Sequence, residues 1–282
     1  MNTQLKLRIA RVLYQTVKTA RACVGAKSEQ VECVRSGLRW NLDLSEGIDL
    51  SIYLFGQFER STTSALRTHL FPGAVALDIG ANVGAHALPM AKLVGPSGKV
   101  YAFEPTDWAF GKMTKNASLN PDLQSSLFPM KMILSDLKSD MPKHIYSSWK
   151  LESGETHPIH GGHLNSVGNS EVASLDSIVK TLGLKKIDLI KLDVDGFEFK
   201  VLSGGAQMLS EMRPKMILEV TPYSLEEQGD SLEALIAFMA KLNYRFYTEN
   251  GKQEIPLNAE ALRKKLPPLG GFNVLALPME RP

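Results

Sequence analysis

The run Val75-Ala76-Leu77-Asp78-Ile79-Gly80-Ala81-Asn82-Val83-Gly84 constrains what this chain can fold into more than any other stretch. Its aliphatic start reads as a buried strand, its glycines punctuate a tight turn, and the apolar-periodic stretch 86–94 reads as the helix that follows. A strand feeding a glycine turn and a helix is a building unit of an open α/β sheet, and the helix start leaves backbone N–H groups free to meet a ligand. Gly80 lets the chain turn sharply, and Gly84 permits close approach at the helix start. The spacing is close to a dinucleotide fingerprint. Asn82, however, stands where that fingerprint has the glycine that lets backbone touch a pyrophosphate, which weakens a nicotinamide reading. Asp78 is placed to orient backbone amides or a ligand amine.

The same alternation continues downstream. Strands are expected at 75–79, 99–103, 128–134, 187–192 and 216–220, with helices at 61–70, 86–94, 107–119, 175–182, 198–212 and 231–242. Closing strands are expected at 244–248 and 272–277, the last able to return antiparallel. Strands separated by helices imply right-handed crossovers and a largely parallel sheet covered on both faces. Two stretches break the alternation: 135–170, rich in Ser, Gly and His and carrying Trp149, and 251–271. Loops of that length in a compact domain usually cover or contact a ligand. Ahead of the sheet, 31–34, 38–44 and 48–55 alternate apolar and polar residues and read as a small antiparallel meander.

Composition bounds the rest. With 44% hydrophobic and 22% charged residues over 282 positions the chain is globular, and 32 basic against 30 acidic residues give a net charge of +2. So balanced a charge implies no nucleic-acid footprint. Cys23 and Cys33 lack metal-ligand spacing and read as reduced thiols, which fits a cytoplasmic setting, and no apolar run approaches bilayer length. Residues 6–27 carry six basic and no acidic side chains at amphipathic helical spacing. Packing on its own domain or on a second subunit is the preferred reading of this helix; peripheral contact with an anionic membrane surface is the alternative. The chain divides into 1–58, the helix and meander, and 59–282, the α/β domain.

Three further signals carry chemistry. Glu104 ends the second strand of the sheet, where an acid accepts hydrogen bonds from the ribose hydroxyls of an adenosine. Asp193, Asp195 and Glu198 cluster after the strand at 187–192, where an α/β sheet presents its ligands. Asp193 is the candidate base or substrate orienter; Glu198 also reads as a helix-opening acid and Asp195-Gly196 as a turn. The loop histidines His160 and His163 are alternative bases. No metal is assigned.

Taken in order, DIGANVG, AFEP and DLIKLDVDGFEFKVLSGG, with GQFE upstream and VASLDSIV before the fourth strand, resemble the FkbM family of methyltransferases from about Leu38 to Leu277. The resemblance implies a Rossmann-like methyltransferase fold: a mostly parallel seven-stranded sheet with the last strand antiparallel, here with an added N-terminal helix and β meander. It implies S-adenosyl-L-methionine as methyl donor and a hydroxyl on a sugar, glycan or secondary metabolite as acceptor. It also assigns Asp78, Gly80, Asn82, Gly84 and Glu104 to the cofactor, Ser135 and Asp136 to the adenine contact, and Glu59 to the cofactor side. Asp195 departs from the family's Glu, Phe197 from a small residue, and Arg60 from the Pro that usually follows GQFE. An NAD(P)-dependent oxidoreductase and a non-catalytic nucleotide-binding protein are the rival readings.

Overall fold

A computed structural model describes residues 3–137, 142–151, 162–266 and 270–280. The chain opens with α1 (Thr3–Cys23), the hairpin β1 (Gln30–Arg35) and β2 (Leu38–Asp43), and two helices, α2 (Gly47–Phe55) and α3 (Arg60–His69). The glycine turn follows β3 (Val75–Ile79) and leads into α4 (Ala87–Val94), then β4 (Lys99–Phe103), α5 (Asp107–Ser118), β5 (Leu127–Met130) and β6 (Met132–Leu134). The middle of the chain adds β7 (His144–Ser148), β8 (His163–Ser166), β9 (Glu171–Ala173), α6 (Leu175–Thr181) and β10 (Leu189–Leu192). Next come α7 (Glu198–Ser203), α8 (Ala206–Met212), β11 (Lys215–Val220), α9 (Pro222–Glu227) and α10 (Leu232–Lys241). The chain closes with β12 (Tyr244–Thr248), β13 (Glu254–Ile255), α11 (Ala259–Lys265) and β14 (Phe272–Pro278).

One sheet organises these elements, in the order β13-β12-β14-β11-β10-β3-β4-β5. Strands β5, β4, β3, β10 and β11 run parallel, and β14 lies antiparallel between β11 and β12. The expected seven strands and antiparallel closing strand are present, with the two-residue β13 as an additional edge. Side-chain alternation sorts the two faces. Leu77 and Ile79 of β3 face a core shared with α6, α7 and α10, whereas Ala76 faces a second core built with α4. Leu38, Trp40 and Leu42 of β2 join that second core, so the N-terminal segment packs into the face that carries α4. No described helix is long and apolar enough to cross a membrane.

Four expectations change. The third meander strand, 48–55, is helix α2: Ile48 and Ile52 face the sheet core while Leu50 and Leu54 face α1. A helix buried on two opposite sides carries apolar residues at i, i+2, i+4 and i+6, which imitates strand alternation. The single strand 128–134 divides at Lys131, because β6 leaves the sheet to pair with β9. The single helix 198–212 breaks at Gly204-Gly205, where a Cβ on Gly204 would stand 2.2 Å from the carbonyl oxygen of Ser135. The long loops hold regular elements: 135–170 contains the antiparallel strand pair β7–β8, and 251–271 contains β13 and α11.

The segment around β7 is stitched to the N-terminal layer. Gly47 N–H donates to the Trp149 carbonyl at 3.0 Å, Leu151 N–H to Ser45 at 2.8 Å, and Trp149 N–H to Glu46 Oε2 at 3.1 Å. Glu46 is 3% exposed, its Oε1 takes no hydrogen bond, and burial pushes its pKa from 4.5 to about 7, with Lys112 opposing and Asp49 reinforcing the shift. Between those two values the folded chain holds a proton that the unfolded chain releases, so this residue lowers stability as pH rises through that window. Glu46→Gln should therefore leave stability nearly unchanged at pH 4.5 and raise it by about 1–3 kcal/mol at pH 8. Urea unfolding at both values measures this; a variant equally affected at both would contradict it.

Candidate active site

The parallel strands end together on one edge, as open α/β sheets require of a ligand crevice. A cavity of about 360 Å³ opens there. Its floor begins at Gly80, whose φ of +80° lies in the left-handed region; a Cβ there would stand 1.8 Å from the Asp193 carbonyl oxygen. The turn after β3 thus lies directly against the end of β10, and only glycine permits it. Asn82 also adopts a left-handed φ, +49°. Its side chain accounts for the tolerance: Oδ1 accepts the Val83 N–H at 2.8 Å, and Nδ2 donates to the Ser147 carbonyl at 2.8 Å. Asn82 ties the turn to the β7 cover.

Glu104 is buried beside it. Its Oε2 accepts the Asn82 N–H at 3.0 Å, while Oε1 accepts both the backbone N–H of Thr106 at 2.9 Å and its hydroxyl. Burial pushes the Glu104 pKa up, and the donors on Thr106 and Asn82 oppose that shift. A carboxylate oxygen has two acceptor positions, so Oε1 is filled and Oε2 keeps one. Glu104 both holds the turn and retains one acceptor position.

Lys191 sits at the centre of the charges. In the parallel register Lys191 stands opposite Asp78, and its Nζ lies 3.1 Å from Asp193 Oδ2, 3.4 Å from the Gly80 carbonyl and 3.9 Å from Asp78 Oδ1. It is 4% exposed. Burial disfavours its charge, but the carboxylates of Asp193, Asp78 and Glu59 outweigh burial and raise its pKa. Asp78 is fully buried; desolvation raises its pKa while Lys191 and His86 oppose.

Around this centre lie more acids. Burial would raise the pKa of Glu59, yet His86, Lys191 and Thr62 pull it down to about 2; His86 Nε2 is 3.5 Å from Glu59 Oε2 and the Thr62 hydroxyl 3.2 Å. Burial, followed by Asp193 and Glu198, drives the Asp195 carboxyl well above its ordinary range, and burial and the same two acids do so for Glu219. Glu198 behaves differently. Its Oε1 accepts the N–H groups of Val194 at 2.9 Å and Gly196 at 3.2 Å, so it shapes its own turn, and burial raises its pKa to about 7.

Of the residues singled out in the sequence, Glu59, Gly80, Asn82, Glu104, Asp193 and Asp195 line the cavity. Asp78 and Gly84 lie behind it: Asp78 reaches it through Lys191, and Gly84 packs its backbone on Leu88 and Met113. Ser135, Asp136 and His163 are not among the lining residues. Ser135 is buried with its backbone bonded to Ala173, and His163 stands on β8, where burial and Lys150 lower its pKa. His160 lies outside the described residues. Lys191, His86 and Glu219 line the cavity without having been assigned to it, and Trp149 lines it from the long loop expected to contact a ligand. For Lys191 and Glu219 a signal existed, since a charge inside the apolar runs LIKL and MILEV has to find a reason to be buried.

The model of the "Methyltransferase FkbM domain" matches residues 78–246, from the glycine turn to β12. The chain belongs to this family. Among its relatives, the hexuronic acid methyltransferase AglP of Haloferax volcanii is 29% identical over 140 residues, 49% of this chain and 52% of AglP. The chain thus spans about half of AglP's length. The 2-O-methyltransferase NoeI of Sinorhizobium fredii is 28% identical over 195 residues, 60% of this chain and 77% of NoeI. A solved structure of methyltransferase FkbM from Methylobacillus flagellatus is 17% identical with a TM-score of 0.41, covering 65% of this chain and 43% of that one. Within the FkbM match, Asp78 and Lys191 stand on different strands that only the sheet brings together.

Removing the cation would leave the fully buried Asp78 unpaired and take from the part-exposed Asp193 the partner that fixes it. Lys191→Met should cost roughly 3–5 kcal/mol of stability at neutral pH, and less in acid, where protons can neutralise the acids instead. Denaturant titration at the two pH values measures it; a loss below 1 kcal/mol at neutral pH, on the order of a surface ion pair, would contradict the assignment.

Proposed function

We propose that the chain transfers the methyl group of S-adenosyl-L-methionine to a hydroxyl of a sugar or related small molecule. Beyond family membership, one observation carries the reading: the acceptor position left on Glu104 and the Lys191–Asp193 pair face the same cavity. The donor set suits this cofactor. Glu104 Oε2 can accept a ribose hydroxyl, apolar Pro105, Ile133 and Leu134 offer surface to an adenine, and the ionised Glu59 suits an ammonium. When bound, the cofactor supplies a methyl group activated on a sulfonium. Asn82 fills the place where a pyrophosphate fingerprint needs glycine, which weighs against nicotinamide dinucleotides.

The chain's own task is alignment, exclusion of water and removal of one proton. Lys191 engages Asp193 through Oδ2, which fixes the carboxylate and leaves Oδ1 to accept the acceptor's hydroxyl proton. Trp149 and Tyr146 from the β7 segment, with Ile48 of α2, close the other side. AglP is named for a hexuronic acid and NoeI for 2-O-methylation, and both names support transfer to an oxygen. Tyr146, Trp149 and Tyr223 beside several carboxyl groups form a lining suited to sugar hydroxyls. Burial and the neighbouring carboxylates push Asp195 and Glu219 towards the protonated form, and both line a cavity that Glu59, Glu104 and Asp193 also line. Another negative charge is therefore disfavoured on the acceptor.

Labelled cofactor and a panel of glycosides test the reading. Label should reach neutral hexosides roughly tenfold or more faster than the matching uronosides, since like charges brought together cost several kcal/mol. Asp193→Asn should lower turnover by roughly 10² to 10⁴ with cofactor affinity retained. Glu104→Ala should weaken cofactor binding by about 2–3 kcal/mol in calorimetry. Failure of the folded protein to bind the cofactor, or an Asp193→Asn variant of normal turnover, would defeat the respective assignments.

A further inference from the structure

Helix α1 has two faces, and only one is satisfied by the fold. On the inner face Leu13, Tyr14 and Val17 pack against Leu50, Leu54 and Leu151, the Tyr14 hydroxyl donates to Glu29 at 2.6 Å, and Lys18 pairs with Glu29 at 2.8 Å. Leu7 and Ala10 of the same face line the active-site cavity, so α1 forms part of its roof. The helix is thereby anchored on the domain in a defined rotation about its axis.

The outer face is unusual for a surface helix. Leu5, Ile9 and Val12 are 49%, 43% and 67% exposed, and their spacing of four and three places them on one stripe. Arg8 and Arg11 are exposed beside that stripe and make no ion pair or side-chain hydrogen bond among the described residues. From Thr3 to Cys23 the helix contains no acidic residue. An apolar stripe flanked by cations is the make-up of helices that lie in the plane of an anionic bilayer, the apolar residues in the acyl boundary and the cations at lipid phosphates. A second copy of the chain fits less well. Two-fold pairing of the stripe would set Arg8 and Arg11 against the same cations of the partner, with no acid on the helix to offset them. With no described helix able to cross a membrane, the contact is one of lying on the surface.

We propose that α1 docks the protein flat on an anionic lipid surface through Leu5, Ile9, Val12, Arg8 and Arg11, holding the cavity roofed by its inner face beside that surface. The proposal does not depend on which molecule receives the methyl group.

Co-sedimentation of the full chain with phosphatidylcholine vesicles and with equimolar phosphatidylcholine/phosphatidylglycerol vesicles tests it. The protein should associate with the anionic vesicles roughly tenfold or more tightly than with the neutral ones, and added salt should release it. Arg8→Glu/Arg11→Glu and, separately, Leu5→Ser/Ile9→Ser/Val12→Ser should each reduce anionic-vesicle binding roughly tenfold or more while the melting temperature stays near that of the parent, because all five side chains face solvent. Equal retention on both vesicle types, no retention on either, or unchanged binding by both variants would overturn the proposal. So would light scattering that finds a dimer dispersed by the triple serine variant while vesicles fail to bind the parent. Should either variant melt early, the salt dependence of the parent protein decides the matter alone.

Discussion

A single buried lysine organises the ligand edge of the sheet. Lys191 lies between Asp78 and Asp193 and against the Gly80 carbonyl, so it holds the ends of β3 and β10 together through charge as well as through the ladder. Lys191 opposes the upward push that burial gives the Asp78 carboxyl, and Asp193, Asp78 and Glu59 outweigh the burial that would strip the lysine of its charge. Position and protonation depend on each other. The close contact between Gly80 and Asp193 serves the same end, because a side chain at Gly80 would force β10 away and separate the charges.

A second layer of order rests on that centre. Glu104 accepts the Asn82 N–H, and Asn82 reaches up to Ser147, so the turn, the second strand and the β7 cover form one connected set of hydrogen bonds. The cover is joined in turn to 45–47 and to α2, which is sandwiched between the sheet and α1. The N-terminal segment is therefore a wall of the cavity as well as an appendage. Leu7, Ala10 and Ile48 line the cavity although the family match begins only at residue 78.

The crowding of carboxyl groups has a chemical consequence. Glu59 is kept ionised by His86, Lys191 and Thr62, whereas Asp195 and Glu219 are driven towards the protonated form. Neighbouring acids are thus pushed in opposite directions, one towards the charged acceptor form and two towards the neutral form that can donate a hydrogen bond. A polyhydroxylated molecule can use both kinds.

By itself, the sequence determined the α/β class, the glycine turn after the first sheet strand, the acid at Glu104 and the acids at Asp193 and Asp195. Strand periodicity, turn glycines and a carboxylate at a strand end are each encoded within about ten consecutive residues, and no distant partner is needed to recognise them. Tertiary structure alone decided that 48–55 is a helix, since burial on two sides gives the same alternation as a strand. It also decided that Ser135, Asp136 and His163 stand outside the cavity lining while Lys191, His86 and Glu219 belong to it. These residues come from separate elements of the chain, and whether their side chains meet depends on sheet register and on which layer covers which edge. That information resides in long-range packing, where a shift of one residue reverses the face a side chain points to.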